Sequence, residues 1–260
     1  MFPDARAQAL AVERAALQRA SRIFLASDWA CQDAARVFNI PIERFSAVAR
    51  GANLESGLQT PAQVDALVTA RLASPVLRLL FVGVDWVRKG GDVAFAAVQQ
   101  LRQQGVDATL TIVGCQPPAG VRSQPFVQVH RFLRRNHPAE LQQLHALFSQ
   151  ANLFILPTRA EAFGIVFAEA ASFGLPSLAC NTGGVSAAIE SGKTGVLLDV
   201  AASAADFVAQ INTLRANPTA YRQMCLAAFA KYQTELNWPV IARRIHDEME
   251  QCLGQGGGVA

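Results

Sequence analysis

No two of the five cysteines (Cys31, Cys115, Cys180, Cys225 and Cys252) stand in C-x-x-C spacing, and their number is odd. That argues against a zinc site or a disulfide framework and for reduced thiols in a cytoplasmic protein. No apolar run approaches the roughly 18 residues of a membrane span. The start, M-F-P-D-A-R-A-Q, lacks the organisation of a signal peptide. There is no lysine–arginine block and no basic stripe interleaved with aromatics, and the net charge is only +3, so nucleic acid is not an expected partner. Neither G-x-x-x-x-G-K-[ST] nor G-x-G-x-x-G occurs, which withdraws support from a simple nucleotide hydrolase and from an NAD-dependent oxidoreductase. Internal repeats are also missing.

What is present is a chain of 260 residues, 51% hydrophobic and 17% charged, enough for a sizeable core in one large or two small domains. From residue 76 onward, apolar runs alternate with helical patterns. The runs at 77–82, 108–113, 126–130, 153–156, 177–180 and 196–198 read as strands. Each is nearly continuous in apolar character, as expected of a parallel sheet covered by helices on both faces. Upstream, 22–26 and 45–49 read as strands around a helix that starts at Ser27, one β-α-β step by itself. The polar stretch 55–75 reads as a linker carrying a short helix over 62–72. A helix over 239–253 and a Gly-rich, mobile tail at 254–260 close the chain.

In such sheets ligands lie beyond the carboxyl ends of the strands, so the loops there carry the argument. The loop after the 153–156 run leads through P-T-R-A-E-A-F-G-I-V-F-A-E-A into a helix, with Glu161 and Glu169 bracketing its start and Gly164 at the junction. A helix N-terminus offers unpaired N–H groups and partial positive charge to an anion. Taken alone, Glu169 could equally be an acid favoured by the helix dipole and Glu161 a solvated loop acid. The loop after 77–82, G-V-D-W-V-R-K-G-G, places Arg88 and Lys89 before a Gly-rich helix entrance, which suits an anionic ligand or simply makes a solvated basic turn. Trp86 could cover a ligand or pack on its own domain. Arg131 and Arg159 face the cleft by loop position, as phosphate contacts or as a soluble rim. Phe163 and Phe167 read as core on the helix's buried face.

These three stretches, G-V-D-W-V-R-K-G-G, P-T-R-A-E-A-F-G-I-V-F-A-E-A and N-T-G-G-V, in this order and spacing, resemble retaining glycosyltransferases of family 4, which have the GT-B fold. The Glu-x7-Glu element is Glu161 and Glu169. The resemblance is strong over 76–198. It is weaker upstream, where R-I-F-L-A-S-D-W-A is similar to the end of the family's first domain. It is also weaker downstream, where Asn237, Trp238 and the last helix resemble the segment that crosses back to that domain. The implied fold is α/β: a Rossmann-like parallel sheet, the second GT-B domain, at 76–237, with a crossover helix at 238–253. A partial β-α-β remnant of the first, acceptor domain lies at 1–54.

The resemblance implies a nucleotide-sugar donor, such as a UDP- or GDP-sugar, and no metal or other cofactor. Glu169 would accept from the ribose hydroxyls and Glu161 from the donor sugar. The backbone of Phe163, Gly164, Ile165 and Val166 would hold the sugar and distal phosphate. Lys89, with Arg88 as a second cation, would neutralise the diphosphate as it leaves. The backbone around Phe132 and Leu133 would meet the base, and Gly183–Gly184 would leave space near the donor. Glu161 and Lys89 are thus the candidate catalytic residues. The pair of acids departs from the glycosidase scheme, in which two carboxylates flank the scissile bond.

Two features depart from the family pattern. Many members carry an Arg directly after the first loop's glycine, where this chain has Val84. At about 30 residues per β-α unit, several units of the first domain are missing, along with the family's acceptor-side histidine. His130, His137, His145 and His246 match no such motif. The expectation is therefore a sugar transfer to an unidentified acceptor hydroxyl with retained configuration, this chain mainly holding the donor. A separate chain could supply the missing part, and peripheral attachment at the cytoplasmic membrane face is compatible with that. The alternatives are a non-catalytic or partner-dependent binding module and a GT-B nucleotide-sugar epimerase; a phosphorylase would need a pyridoxal-binding lysine, for which there is no signal.

Overall fold

A computed structural model describes residues 3–54, 57–58 and 60–256. The chain runs α1 (Pro3–Arg19), β1 (Ile23–Leu25), α2 (Asp28–Phe38), a 3-10 turn, β2 (Phe45–Ala47), α3 (Pro61–Ala73), β3 (Leu77–Val82), α4 (Gly91–Gln103), β4 (Ala108–Val113), α5 (Ala119–Arg122), β5 (Val127–His130) and α6 (Pro138–Gln150). It continues through β6 (Leu153–Leu156), α7 (Ile165–Ser172), β7 (Ser177–Cys180), α8 (Val185–Ala188), β8 (Gly195–Leu198), α9 (Ala204–Ala216), α10 (Pro218–Glu235) and α11 (Trp238–Gly256). Among the described residues six strands form one sheet, in the order β5-β4-β3-β6-β7-β8, and every pairing is parallel. The chain builds outward from β3 in one direction, returns to its other side at β6, and builds outward again. The loops after β3 and β6 therefore diverge at a topological switch point, where open α/β sheets form their crevice.

The central strands are apolar because helices cover both faces. All four residues of β6 and of β7 are buried. Phe148, Phe154, Phe167 and Phe173 interlock beneath the α6 and α7 face, with ring centroids 5.3 to 6.1 Å apart. The smaller parallel pair β1–β2 has its own core of Ile23, Cys31, Phe38, Ile40 and Phe45. Ser27 caps α2 as expected, accepting from Ala30 N–H at 3.2 Å. That helix ends at Asn39, in the left-handed region at φ 54°, before Pro41 is reached. The last helix is tied to the β1–β2 unit: Glu248 on α11 accepts from Ser46 at 2.7 Å and from Arg22 at 3.2 Å.

The stretch read as a linker behaves differently. Over 61–73 it is α3, opened by a capping box between Thr60 and Gln63. Val64 and Val68 are fully buried in the large core, so this helix is a layer of the sheet's cover. Its register is set by Arg71, only 3% exposed. The Arg71 guanidinium donates to the carbonyls of Phe148 (3.2 Å) and Ser149 (3.0 Å) in the last turn of α6, and to those of Phe173 (3.0 Å) and Gly174 (2.9 Å) just past α7. Those carbonyls are the unpaired ends of two helices, where dipoles favour a cation. The helix read over 239–253 extends to Gly256. Positions 257–260 of the Gly-rich tail, and 55–56 and 59 of the linker, lie outside the described residues. No helix among the described residues is long and apolar enough to cross a membrane.

Replacing Arg71 by Met keeps much of the apolar stem but leaves these buried acceptors unmet. The expected loss is about 3 kcal/mol or more, read as a lower urea midpoint at unchanged m-value. A loss below about 1 kcal/mol would mean that water can close both helix ends as well.

Candidate functional site

The cavity lies where the fold puts it, at the carboxyl ends of β3 and β6. Its volume is about 580 Å³. The β3–α4 loop contributes Gly83, Val84, Arg88 and Lys89; the β6–α7 loop contributes 161–164; α7 adds Ile165, Val166 and Glu169. Phe132, Leu133 and Arg135 come from the loop after β5, and Ala26, Arg50 and Asn53 from the N-terminal part of the chain. Four of the six charged side chains are cationic and two anionic, a formal excess of two positive charges in a concave site.

The two principal loops are fastened to each other. Arg159 N–H donates to the Arg88 carbonyl at 2.8 Å, and the Arg88 guanidinium to the Ala160 carbonyl at 3.1 Å. Gly90, at φ 73°, lets the backbones meet: a Cβ there would stand 2.0 Å from the Pro157 carbonyl oxygen. Lys89 is buried, and its stem passes so close to Gly83 that a Cβ there would be 3.1 Å from Lys89 Cγ. Its ammonium donates to Glu161 Oε2, so the two candidate catalytic side chains are paired with each other across the switch point.

Gly164 is the N-cap of α7, at φ 82° and ψ 74°. A side chain there would collide with Phe167, 2.6 Å away, and press on Glu161. The absence of one opens the helix N-terminus, with the N–H groups of Ile165 and Val166, to the cavity. Phe163 and Phe167 are both buried, Phe167 edge-on to Phe154 at 5.8 Å.

Glu169 is 1% exposed. Burial pushes its carboxyl up to about 7, against the Arg135 charge and the backbone N–H groups of Asn53 and Leu54, which pull it down. Arg135 stands 2.6 Å from Oε1 as an ion pair, and that buried oxygen meets no other side-chain donor among the described residues. A buried polar atom so placed at a cavity wall is a receptor for a donor group.

Ten of the twelve residues expected to contact the donor line this one cavity: Arg88, Lys89, Phe132, Leu133, Glu161, Phe163, Gly164, Ile165, Val166 and Glu169. Gly183 and Gly184 do not, because the space they leave is filled by the chain itself. A Cβ at Gly183 would lie 1.9 Å from the Glu161 carbonyl oxygen, and one at Gly184 2.0 Å from that of Ala162 and 2.4 Å from Ser27 Oγ. Gly184 N–H donates to the Glu161 carbonyl at 3.1 Å. They support the Glu161 loop from behind. Arg159 turns away to a bidentate pair with Asp92, at 3.0 and 2.7 Å. Arg131 is exposed outside the cavity wall. Trp86 packs on Gly91 and Phe81, the second of its two readings. His130, at the end of β5, has its basicity lowered by burial and contacts Gln143 at 3.0 Å; none of the four histidines lines the cavity. Arg50, Asn53 and Arg135 were missed, since nothing in local sequence separates them from solvated polar residues.

A family model described as "Glycosyl transferases group 1" matches residues 77–217. The chain belongs to that family. Glycogen synthase of Mycobacterium tuberculosis is 31% identical over 63% of the chain and 40% of its own length. D-inositol 3-phosphate glycosyltransferase of Corynebacterium glutamicum is 31% identical over 65% of the chain and 43% of its length. The chain thus spans about four tenths of the curated relatives it matches. Among solved structures, sucrose-phosphate synthase of Thermosynechococcus elongatus superposes with a TM-score of 0.72 at 22% identity, covering 95% of this chain and 62% of that one. HepE of Anabaena, in complex with UDP-glucose, gives 0.68 at 18% identity, covering 89% and 64%. At such identities the superpositions speak to the fold, and that fold is GT-B, as the sequence resemblance implied.

Two predictions follow from this geometry. The native Glu169 carboxyl keeps its proton at pH values where the unfolded one, near 4.5, has lost it. Its contribution to stability is therefore full below about 4.5 and lost as pH rises through about 7. Relative to Glu169→Gln, the wild-type chain should lose on the order of 3 kcal/mol across that window, measured as urea midpoints at pH 4.5 and 8. Gly184→Ala should cost about 1–3 kcal/mol by overpacking against Ala162 and Ser27; unchanged thermal stability would show that the Glu161 loop moves freely.

Proposed function

We propose that this chain is the nucleotide-sugar-binding half of a retaining glycosyltransferase, and that the cavity takes a nucleoside diphosphate sugar. The observation that carries the reading is the set of groups met across the switch point: Lys89 with Glu161, the open N-terminus of α7, and the buried Glu169 farther along the same helix. A diphosphate fits the first and second, sugar hydroxyls the carboxylate of Glu161, and a ribose diol the orphaned oxygen of Glu169. That HepE was solved with UDP-glucose bound supports a ligand of this class.

Chemically, the anomeric bond breaks as the diphosphate departs, and negative charge grows on its outer oxygens. Lys89 and the α7 N–H groups are fixed partners for that charge and need little reorganisation when it appears. Arg88 adds a more distant positive potential. Glu161 orients the sugar through its hydroxyls. Glu169, on the nucleoside side, is a binding residue. The acceptor hydroxyl approaches from the side of the N-terminal part of the chain, which brings Ala26, Arg50 and Asn53 to the wall. β1 and β2 each have one strand neighbour among the described residues, which favours a second reading in which further residues, in the same polypeptide or a partner chain, complete the acceptor side. The five free thiols accord with a cytoplasmic setting.

Titration calorimetry with UDP, GDP and ADP tests the reading. One of them should bind at millimolar concentration or tighter, and Lys89→Ala should weaken it by about 1.5–3 kcal/mol. Failure of all three would sink the proposal.

A further inference from the structure

Arg135 enters the cavity from the loop between β5 and α6. Its side chain is 42% exposed, yet its guanidinium reaches a carboxylate that is 1% exposed. The neighbouring Arg134 is committed elsewhere, to Glu140 at 2.9 Å, and this pair fastens the start of α6 to the loop. We propose that Arg135 is a positioning residue for Glu169: from its place beside Oε1 it favours the ionised form of the buried carboxyl in the empty cavity, so that Oε1 can accept from a vicinal diol of a nucleoside. The inference rests on the nucleotide reading above.

Three observations support it. The first is geometric: Arg135 lies at 2.6 Å from Oε1, close enough to supply charge there, and no other side-chain donor meets that buried oxygen among the described residues. The second is the inventory of groups around Glu169. From the segment after β2 come the backbone N–H groups of Asn53 and Leu54. Elsewhere on the cavity wall are Arg50, Arg88 and the internally paired Lys89 and Glu161. His145 on α6 faces an adjoining pocket that Arg135 and Asn53 also line, and burial lowers its basicity. Arg135 alone of these cations is ion-paired to Glu169 among the described residues. The third is that burial pulls the carboxyl toward its neutral form. A neutral acid presents a hydroxyl donor where the diol needs an acceptor, so without a countercharge the site would lose part of its preference for ribose.

The experiment uses the full chain labelled with 13C at glutamate Cδ. Glu169→Gln assigns the Glu169 signal, and its titration midpoint is compared in wild type, Arg135→Gln and Arg135→Lys. Loss of the cation should raise the midpoint by about one pH unit or more, and Lys should restore most of it. In parallel, calorimetry at pH 7 and pH 9 compares the tighter-binding nucleoside diphosphate with its 2′,3′-dideoxy form. Arg135→Gln should reduce the ribose preference about three- to tenfold at pH 7, with recovery at pH 9. A structural role alone would leave the midpoint in place, and an unchanged midpoint overturns the proposal. A shifted midpoint with an undiminished ribose preference at pH 7 overturns the positioning role but not the nucleotide reading. If the midpoint shifts in Arg135→Gln as described but the wild-type chain binds no nucleotide, the nucleotide reading fails and the positioning role falls with it.

Discussion

A single buried guanidinium closes two helices at once. Arg71 gathers the last carbonyls of α6 and those just past α7, and Asn152 donates to its own carbonyl at 3.0 Å. Because α7 has only eight residues, fixing its end also fixes its beginning, about 12 Å away at 1.5 Å per residue. Gly164 and the free N–H groups at the cavity, and Glu169 between, are therefore located by a contact that touches no ligand-facing atom. A charge buried without a carboxylate partner is tolerable here because helix dipoles and four carbonyl acceptors replace its hydration.

The cavity shows how a site can be charged throughout and yet not collapse. Lys89 is neutralised by Glu161, and Glu169 is held by Arg135 and two backbone N–H groups. Glycines set the distances: Gly90 and Gly164 bring backbone to backbone and helix end to carboxylate, and Gly183–Gly184 do the same on the hidden side of the Glu161 loop. The result is a preorganised set of dipoles and charges in a partly water-excluded space, the arrangement in which electrostatics have the most effect on a polar ligand.

Much of this was legible in the chain. Strands β3, β4, β6 and β7 have the bounds that their apolar runs predict, because buried parallel strands leave an unmistakable run with Gly or Pro beside it. Lys89, Gly164 and Glu161 were legible because they sit on the loops that a parallel sheet directs to one edge, and Glu169 because it lies on the helix that one of those loops opens. What was hidden is whatever depends on distant partners. The helix around Arg71 is only weakly amphipathic and follows a polar stretch, so 62–72 read as a short helix within a linker rather than as a layer packed against two others. Arg135 lies in R-R-N-H, indistinguishable from a solvated basic turn until Glu169 is seen beneath it. Gly183–Gly184 were expected to leave space near the donor, but that space is taken by the chain's own carbonyls.

The contact between Lys89 and Glu161 makes the empty site its own competitor. A neutral sugar would have to bargain with an already satisfied carboxylate, whereas an anion that drew the ammonium toward itself would strip Glu161 of its counterion and leave it hungry for hydroxyl donors. Recognition of the charged and the uncharged part of one molecule would then be thermodynamically linked, each strengthening the other by the same factor. A free monosaccharide, lacking the means to unlock that pair, would be refused even where its shape is right.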